Sequence, residues 1–145
     1  MSIVFSRVVL VKEKEIPYDA QIITPDDAYR VIIQNTLVWQ EAQEVFGFLA
    51  LNNRNTVTAI HEVSRGTINH APANPREVFK AAILYNAASI ILFHNHPSGD
   101  TEPSIEDLKI TEEIKKAGEL LGIKVLDHII VGDGKYRSLK AEKLM

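Results

Sequence analysis

The chain has 145 residues, of which 46% are hydrophobic, so it is long and apolar enough for one domain with a buried core. Its formal net charge of −3 gives no general attraction for nucleic acid, and only a local basic patch would favour such a partner. Cysteine is absent, which fits the reducing cytoplasm and restricts any metal site to histidine and carboxylate ligands, excluding zinc deaminases of the His/Cys/Cys type.

The first elements along the chain are a strand and a helix. Ser2 to Val11 alternate loosely and are rich in valine and isoleucine, which indicates a strand near a sheet edge. Thr24-Pro25-Asp26-Asp27 is typical of a helix start, and we expect this helix to run to about Val38. Four of its apolar residues should lie on or near its buried side: Ala28, Val31, Ile32 and Leu37.

A hairpin and a second helix are predicted next. Residues 44–51 form a short apolar run that ends at Asn52-Asn53, and residues 56–63 look like its hairpin partner. A short segment from Thr67 to His70 and a proline-containing loop follow. Asn74-Pro75 is typical of a helix start, with asparagine as the cap and proline in the first turn.

The last part of the chain alternates strands and helices. Residues 88–93 form a continuous apolar run, which predicts a central strand covered on both faces. A helix is expected from about Ser104 to Leu121, a buried strand over residues 124–131, and a final strand at Tyr136. The sequence therefore predicts an α/β fold with a mixed sheet flanked by helices. No run of about 18 apolar residues and no signal peptide is found, so we expect a cytoplasmic protein that does not enter a membrane.

The stretch from Phe93 to Asp107 carries the chemistry. His94 and His96 follow the buried strand, and residues two apart on extended chain point to the same side. Asp107 lies in the first turn of the next helix, which the intervening loop can fold back over the strand end. Two histidines and one carboxylate, with a position left for water, are the ligand set of catalytic zinc rather than structural zinc.

Each of these signals also has a purely structural interpretation. Ser104-x-x-Asp107 is a helix-capping pattern, Pro97-Ser98-Gly99 is ordinary turn sequence, and a single histidine at a strand end is usually a packed or surface residue. The coincidence of paired histidines, a loop and an acidic helix start favours the metal site. We expect His128, within an apolar segment, to be a hydrogen-bonded core residue or an outer partner of the site rather than a ligand.

The spacing His94-x-His96-x7-Ser104-x-x-Asp107 resembles the core motif of JAMM metalloproteases, the MPN-type domains that include deubiquitinating isopeptidases. The chain is more closely similar to the RadC family of bacterial JAMM-like proteins. Four segments carry this resemblance, which covers roughly residues 40–140: Ser64-Arg65-Gly66-Thr67, Pro75-Arg76-Glu77-Val78-Phe79, His94-Asn95-His96-Pro97-Ser98-Gly99 and Leu126-Asp127-His128-Ile129-Ile130. Typical members are longer and carry an N-terminal helix-hairpin-helix segment, which we expect to be absent from this single domain.

The resemblance implies a JAMM/MPN (cytidine-deaminase-like) architecture with one Zn²⁺ held by His94, His96 and Asp107. It also implies that Glu44, within the pattern Glu-x-x-Gly-x-Leu, is the general base, and that Ser104 donates to the developing oxyanion. The implied activity is hydrolysis of a peptide or isopeptide bond, with a peptide or protein as the substrate. Two alternatives stay open: a nuclease or other DNA-repair factor, and an MPN module without catalytic activity. The sequence gives no indication of the oligomeric state.

Overall fold

The computed structural model describes residues 1–66 and 73–145, which form a mixed sheet of five strands flanked by three helices. The strands are β1 (Glu44–Leu51), β2 (Val57–Gly66), β3 (Ser89–Asn95), β4 (Lys124–Val131) and β5 (Tyr136–Ser138). The helices are α1 (Pro25–Asn35), α2 (Pro75–Leu84) and α3 (Ile105–Leu121), with a 3-10 turn over Val38–Gln40. The predicted α/β class with a mixed, helix-flanked sheet is confirmed.

Strand β3 lies at the centre of the sheet, whose order is β2-β1-β3-β4-β5. It pairs antiparallel with β1 and parallel with β4, and every one of its residues is buried. A parallel pair requires a crossover connection, which α3 supplies between β3 and β4. The loop that leaves β3 and the first turn of α3 therefore lie at the same end of the sheet.

The alternation of side chains along the strands divides the core into two layers. Phe46, Phe48 and Leu92 lie in one layer with buried residues of α2 and α3, whereas Leu49 and Phe93 lie in the other with buried residues of α1. Because His94 follows Leu92 at an interval of two, its side chain lies on the α2–α3 side. The site is thereby built between the end of β3 and the start of α3.

Two predictions about the N-terminal part are wrong. Residues 2–11, predicted as a strand, have no regular structure and are exposed. The reason is that an apolar alternation becomes a strand only when it pairs, and the nearest sheet pairing in this part of the chain is a single bridge between Gln21 and Thr56. Helix α1 ends at Asn35 instead of Val38, since Thr36 is extended, and Leu37 is 58% exposed rather than buried.

The other predicted elements are found with small shifts at their ends. The hairpin partner is longer than predicted and reaches Gly66. Helix α3 ends at Leu121, as predicted, and is capped by Gly122, whose φ of 74° is the left-handed conformation that glycine adopts easily. The predicted segment from Thr67 to His70 lies outside the described residues. Within the described part of the chain, the helices are all too short or too polar to cross a membrane.

Candidate metal centre

The structure brings the predicted site residues together through the register of β1 against β3. Phe46 pairs with His94 in this antiparallel ladder. This antiparallel pairing brings Glu44, at the start of β1, close to His96, which follows the last residue of β3, and the Glu44 Oε1 to His96 Nε2 distance is 4.0 Å. Asp107 reaches the same point from the first turn of α3. Three separate elements thus contribute to one polar cluster.

The cluster is centred on the two Nε2 atoms of the histidines. His94 Nε2 and His96 Nε2 lie 3.0 Å apart. Asp107 Oδ1 is 3.4 Å from His94 Nε2, and Asp107 Oδ2 is 3.0 Å from His96 Nε2. His94 is buried, while His96 and Asp107 are mostly covered, so a cation here would be largely shielded from solvent.

The chemistry of these donor atoms fits a metal ion. The carbonyl oxygen of Asp100 can only accept a hydrogen bond, so the Nδ1–H group of His96 donates to it over 2.7 Å. A neutral His96 then presents a lone pair on Nε2 towards His94 Nε2 and the Asp107 carboxylate. Three acceptor groups this close together repel one another unless a metal ion lies between them or a histidine takes up a proton.

The spacing of the same atoms separates two kinds of role. Four ligands at about 2.0–2.1 Å in a tetrahedron lie about 3.3–3.4 Å from one another. The three distances among His94, His96 and Asp107 are near this value, whereas Glu44 lies farther from His96. His94, His96 and Glu44 also offer ligand atoms within 4.8 Å of one another, so this second set could bind a metal ion as well. The shorter distances favour Asp107 as the third ligand.

The first turn of α3 holds Asp107 in place through a capping box. Ser104 Oγ accepts a hydrogen bond from the Asp107 amide over 3.0 Å, and Asp107 Oδ2 accepts one from the Ser104 amide over 2.9 Å. The Ser104-x-x-Asp107 pattern is therefore a helix cap, and the same cap holds the Asp107 carboxylate at the predicted metal site. The Ser104 hydroxyl hydrogen is not used by the cap and stays available as a donor.

Asn95 positions the start of β1, and with it Glu44. Its Oδ1 accepts a hydrogen bond from the Val45 amide over 2.7 Å, and its Nδ2 donates to the Gln43 carbonyl over 3.0 Å. These two bonds bracket Glu44 on both sides. Asn95, which lies between the two histidines, thus points to the opposite side of β3. Its hydrogen bonds hold the backbone on either side of Glu44, the predicted general base.

The electrostatics of the cluster differ from residue to residue. The hydrogen bond to Asp107 raises the pKa of His96. Burial alone would raise the pKa of Asp107, but the neighbouring His94 and His96 side chains and the Ser104 amide hold it well below its usual range. Burial also raises the pKa of Glu44, against the opposing effect of His94, which brings this carboxyl group closer to the range of a useful general base.

These shifts predict how the stability of the metal-free protein depends on pH. The raised pKa of His96 means that its pair with Asp107 stabilises the fold below the usual histidine value of 6.5 and is lost as the pH rises through the raised value. The lowered pKa of Asp107 means that its contribution is present above 3.8 and is lost only as the pH falls towards the lowered value. The His96–Asp107 pair therefore stabilises the metal-free protein between the lowered pKa of Asp107 and the raised pKa of His96.

Thermal unfolding of chelator-treated protein between pH 5 and pH 8.5 would measure this effect. Wild-type protein should lose stability relative to Asp107→Asn as the pH rises, because only the wild type has the ion pair to lose. Bound metal should reverse the trend, since the ligands must be deprotonated. Parallel curves for the two metal-free proteins would contradict this assignment.

The contacts of two residues at the site could not be derived from the sequence, although His128 was expected to be a core residue or an outer partner of the site. Asn95 lies in the middle of the His-x-His motif, but its partners on β1 are 50 and 52 positions away in sequence. His128 is fully buried on β4, and its Nε2 lies 2.7 Å from His94 Nδ1. Burial holds the pKa of His128 well below its usual range. The available signal was a histidine inside a largely apolar strand.

Comparison with known proteins identifies a family. The model of the RadC-like JAB domain matches residues 22–144. A UPF0758 protein of Desulforudis audaxviator is 48% identical over 121 residues, which are 83% of this chain and 52% of the relative. A UPF0758 protein of Moorella thermoacetica is 52% identical over 103 residues, 71% of this chain and 45% of the relative. A UPF0758 protein of Methanosarcina acetivorans is 45% identical over 122 residues, 84% of this chain and 52% of the relative. The chain thus spans about half the length of the curated relatives it matches.

Proposed function

The chain belongs to the RadC-like JAB domain family, and on that premise we propose that it is a zinc-dependent hydrolase of the JAMM type that cleaves a peptide or isopeptide bond. The observation that carries the proposal is the separation of roles within the cluster. His94, His96 and Asp107 have the shorter distances, which suit metal ligands, while Glu44 lies on the same side but farther from His96. A metal together with an adjacent free carboxylate is the arrangement that hydrolysis by activated water requires.

Zinc bound at such a site supplies a water of lowered pKa and polarises the carbonyl group of the substrate. Glu44 would accept the proton of the attacking water, and it would return this proton to the nitrogen of the leaving amine. Its raised pKa suits both halves of this transfer, because the carboxylate must be basic enough to take the proton and acidic enough to release it. Asn95 would keep the carboxylate at the required place through the backbone of β1.

Ser104 would donate its hydroxyl hydrogen to the oxyanion that develops on the substrate carbonyl. The hydroxyl oxygen already accepts a hydrogen bond from the Asp107 amide, which holds the oxygen in place. The O–H bond can still rotate towards the substrate. A donor that is held in this way needs little reorganisation during the reaction. The cap and the oxyanion role are thus compatible in one side chain.

A peptide or protein is the partner that this site suits best. A nuclease would more often use two divalent ions, and the described residues contain one group of histidines and carboxylates with the necessary spacing. The net charge of −3 also gives a DNA substrate no general attraction. An MPN module without catalytic activity would have no need of the mostly covered Glu44 carboxylate beside the predicted ligands.

A panel of substrates tests the proposal. Zinc-loaded protein would be incubated with peptides, isopeptide-linked conjugates and DNA, after its metal content had been measured by elemental analysis. We expect one zinc per chain and cleavage of a peptide or isopeptide substrate that is lost on chelation. Cleavage of DNA alone would favour the nuclease alternative, and stable zinc binding with no cleavage in the panel would favour the non-catalytic module.

The two roles of Ser104 can be separated by two substitutions. Loss of the cap in Ser104→Ala should cost about 0.5–2 kcal/mol of stability, whereas a glycine cap in Ser104→Gly should cost only about a few tenths. Loss of the oxyanion donor should lower turnover by about 10²–10³-fold in both variants. Zinc content must be measured in parallel, because a shifted helix would displace Asp107. Full activity of zinc-loaded Ser104→Gly would show that the hydroxyl is a cap only.

A further inference from the structure

A chain of hydrogen bonds leads from His94 through two buried residues to the backbone of Asp107. His94 Nδ1 lies 2.7 Å from His128 Nε2, and His128 Nδ1 lies 2.6 Å from Thr111 Oγ1. Thr111 Oγ1 in turn lies 2.6 Å from the carbonyl oxygen of Asp107, one helical turn earlier on α3. Both His128 and Thr111 are buried, and Phe46 packs against the rings of His94 and His128.

The direction of every bond in this chain follows from its last member. A carbonyl oxygen only accepts, so the Thr111 hydroxyl must donate its single hydrogen to Asp107. The hydroxyl oxygen can then only accept from His128, which puts a proton on His128 Nδ1. Among the described residues, the fully buried His128 ring contacts Phe46 and is hydrogen-bonded to His94 and Thr111, so no carboxylate in contact with the ring offsets the charge of a second proton. With its single proton on Nδ1, His128 accepts at Nε2, and His94 donates to it from Nδ1.

We propose that Thr111 and His128 are positioning residues that hold His94 as its Nδ1–H tautomer and thereby keep the Nε2 lone pair directed at the metal centre. The inference rests on the proposed function, because it concerns how that centre is prepared. The alternative tautomer of His94 would place a hydrogen on Nε2, 3.0 Å from His96 Nε2, where it would block a ligand position. The chain of bonds also starts at one predicted ligand and ends at the backbone of another, so β3, β4 and α3 are tied together around the site.

The tautomers can be observed directly in protein that contains no zinc. Nitrogen-15 NMR of the histidine rings in chelator-treated protein should show both His94 and His128 protonated at Nδ1. A His128 ring protonated at Nε2 would overturn the proposal, since the bond directions would then be reversed. This measurement requires neither zinc binding nor activity, so it tests the directions of these hydrogen bonds even if the proposed hydrolase function fails.

Thr111→Val removes the hydroxyl while keeping the shape of the side chain. Loss of such an outer partner typically lowers metal affinity about 10–100-fold, and we expect the zinc dissociation constant, measured by competition with a chromophoric chelator, to rise by this factor. The same variant should lose the uniform Nδ1–H tautomer of His94. An unchanged dissociation constant with an unchanged His94 tautomer would overturn the proposal.

Thr36→Val is the matched control. Thr36 Oγ1 also donates to the carbonyl four residues earlier, that of Ile32, over 2.6 Å, but it lies at the end of α1, whose buried residues pack in the other layer of the core. Its loss should leave the zinc dissociation constant and the His94 tautomer as in the wild type. An equal rise of the dissociation constant in Thr36→Val would show that the effect of Thr111→Val is general destabilisation, which would also overturn the proposal.

Discussion

Glu44→Gln is expected to lower turnover by about 10²–10⁴-fold, the usual contribution of a general base, while zinc content and fold are retained. The amide keeps the size of the side chain and its place on β1, but it cannot take a proton from water. Turnover would be measured on whichever substrate the panel identifies, with metal content determined on the same samples.

Glu41→Gln is a matched control for this prediction. Glu41 is a partly covered glutamate three positions earlier whose carboxylate pairs with Arg65 at 3.0 Å, away from the predicted ligands. The same chemical change there should leave turnover near the wild-type value. If Glu44→Gln lost zinc as completely as a ligand variant, Glu44 would be a ligand, as the set of Glu44, His94 and His96 allows, and the assignment of the base would be wrong.

Asp107→Ala is expected to abolish stoichiometric zinc binding and all activity that depends on it. Among the contacts of the described residues, Asp107 is the only carboxylate that reaches both histidines, with Oδ1 3.4 Å from His94 Nε2 and Oδ2 3.0 Å from His96 Nε2. Loss of a direct ligand should raise the zinc dissociation constant by more than the roughly 10–100-fold that accompanies loss of an outer partner. Elemental analysis and chelator competition would measure the loss.

Asp107→Asn distinguishes loss of the ligand from loss of the helix start. Its side-chain oxygen can still accept from the Ser104 amide, so the cap should survive, whereas the negative charge at the metal is lost. Both variants should therefore bind zinc poorly, but only Asp107→Ala should also weaken the start of α3. Retention of zinc by Asp107→Ala would remove Asp107 from the ligand set.

Local features of the sequence predicted the elements around the site well. The apolar run before His94 indicated the central strand, and capping residues indicated the starts of α2 and α3, because these signals act within a few residues. The N-terminal strand was predicted wrongly by the same kind of signal, since alternation in residues 2–11 does not supply a partner strand. Local pattern is sufficient for a capped helix but not for an edge strand.

Contacts between distant parts of the chain could not be predicted in the same way. The register that sets Glu44 near His96 depends on the pairing of β1 with β3, and the resemblance to a family, rather than periodicity, pointed to Glu44. His128 was expected to be a core residue or an outer partner, but its bonds to His94 and Thr111 depend on how β4 and α3 pack. Strand register and packing are properties of the whole fold.

The predicted ligands are close together in sequence, whereas the predicted base is remote from them. His94 to Asp107 form one strand–loop–helix segment, and closing so short a loop costs little entropy. Glu44 joins them only through the pairing of β1 with β3, a non-local contact that closes a longer loop at a larger cost in entropy. In the metal-dependent hydrolase proposed above, the ligands would thus depend mainly on local contacts, whereas the proton acceptor would depend on the pairing of the sheet.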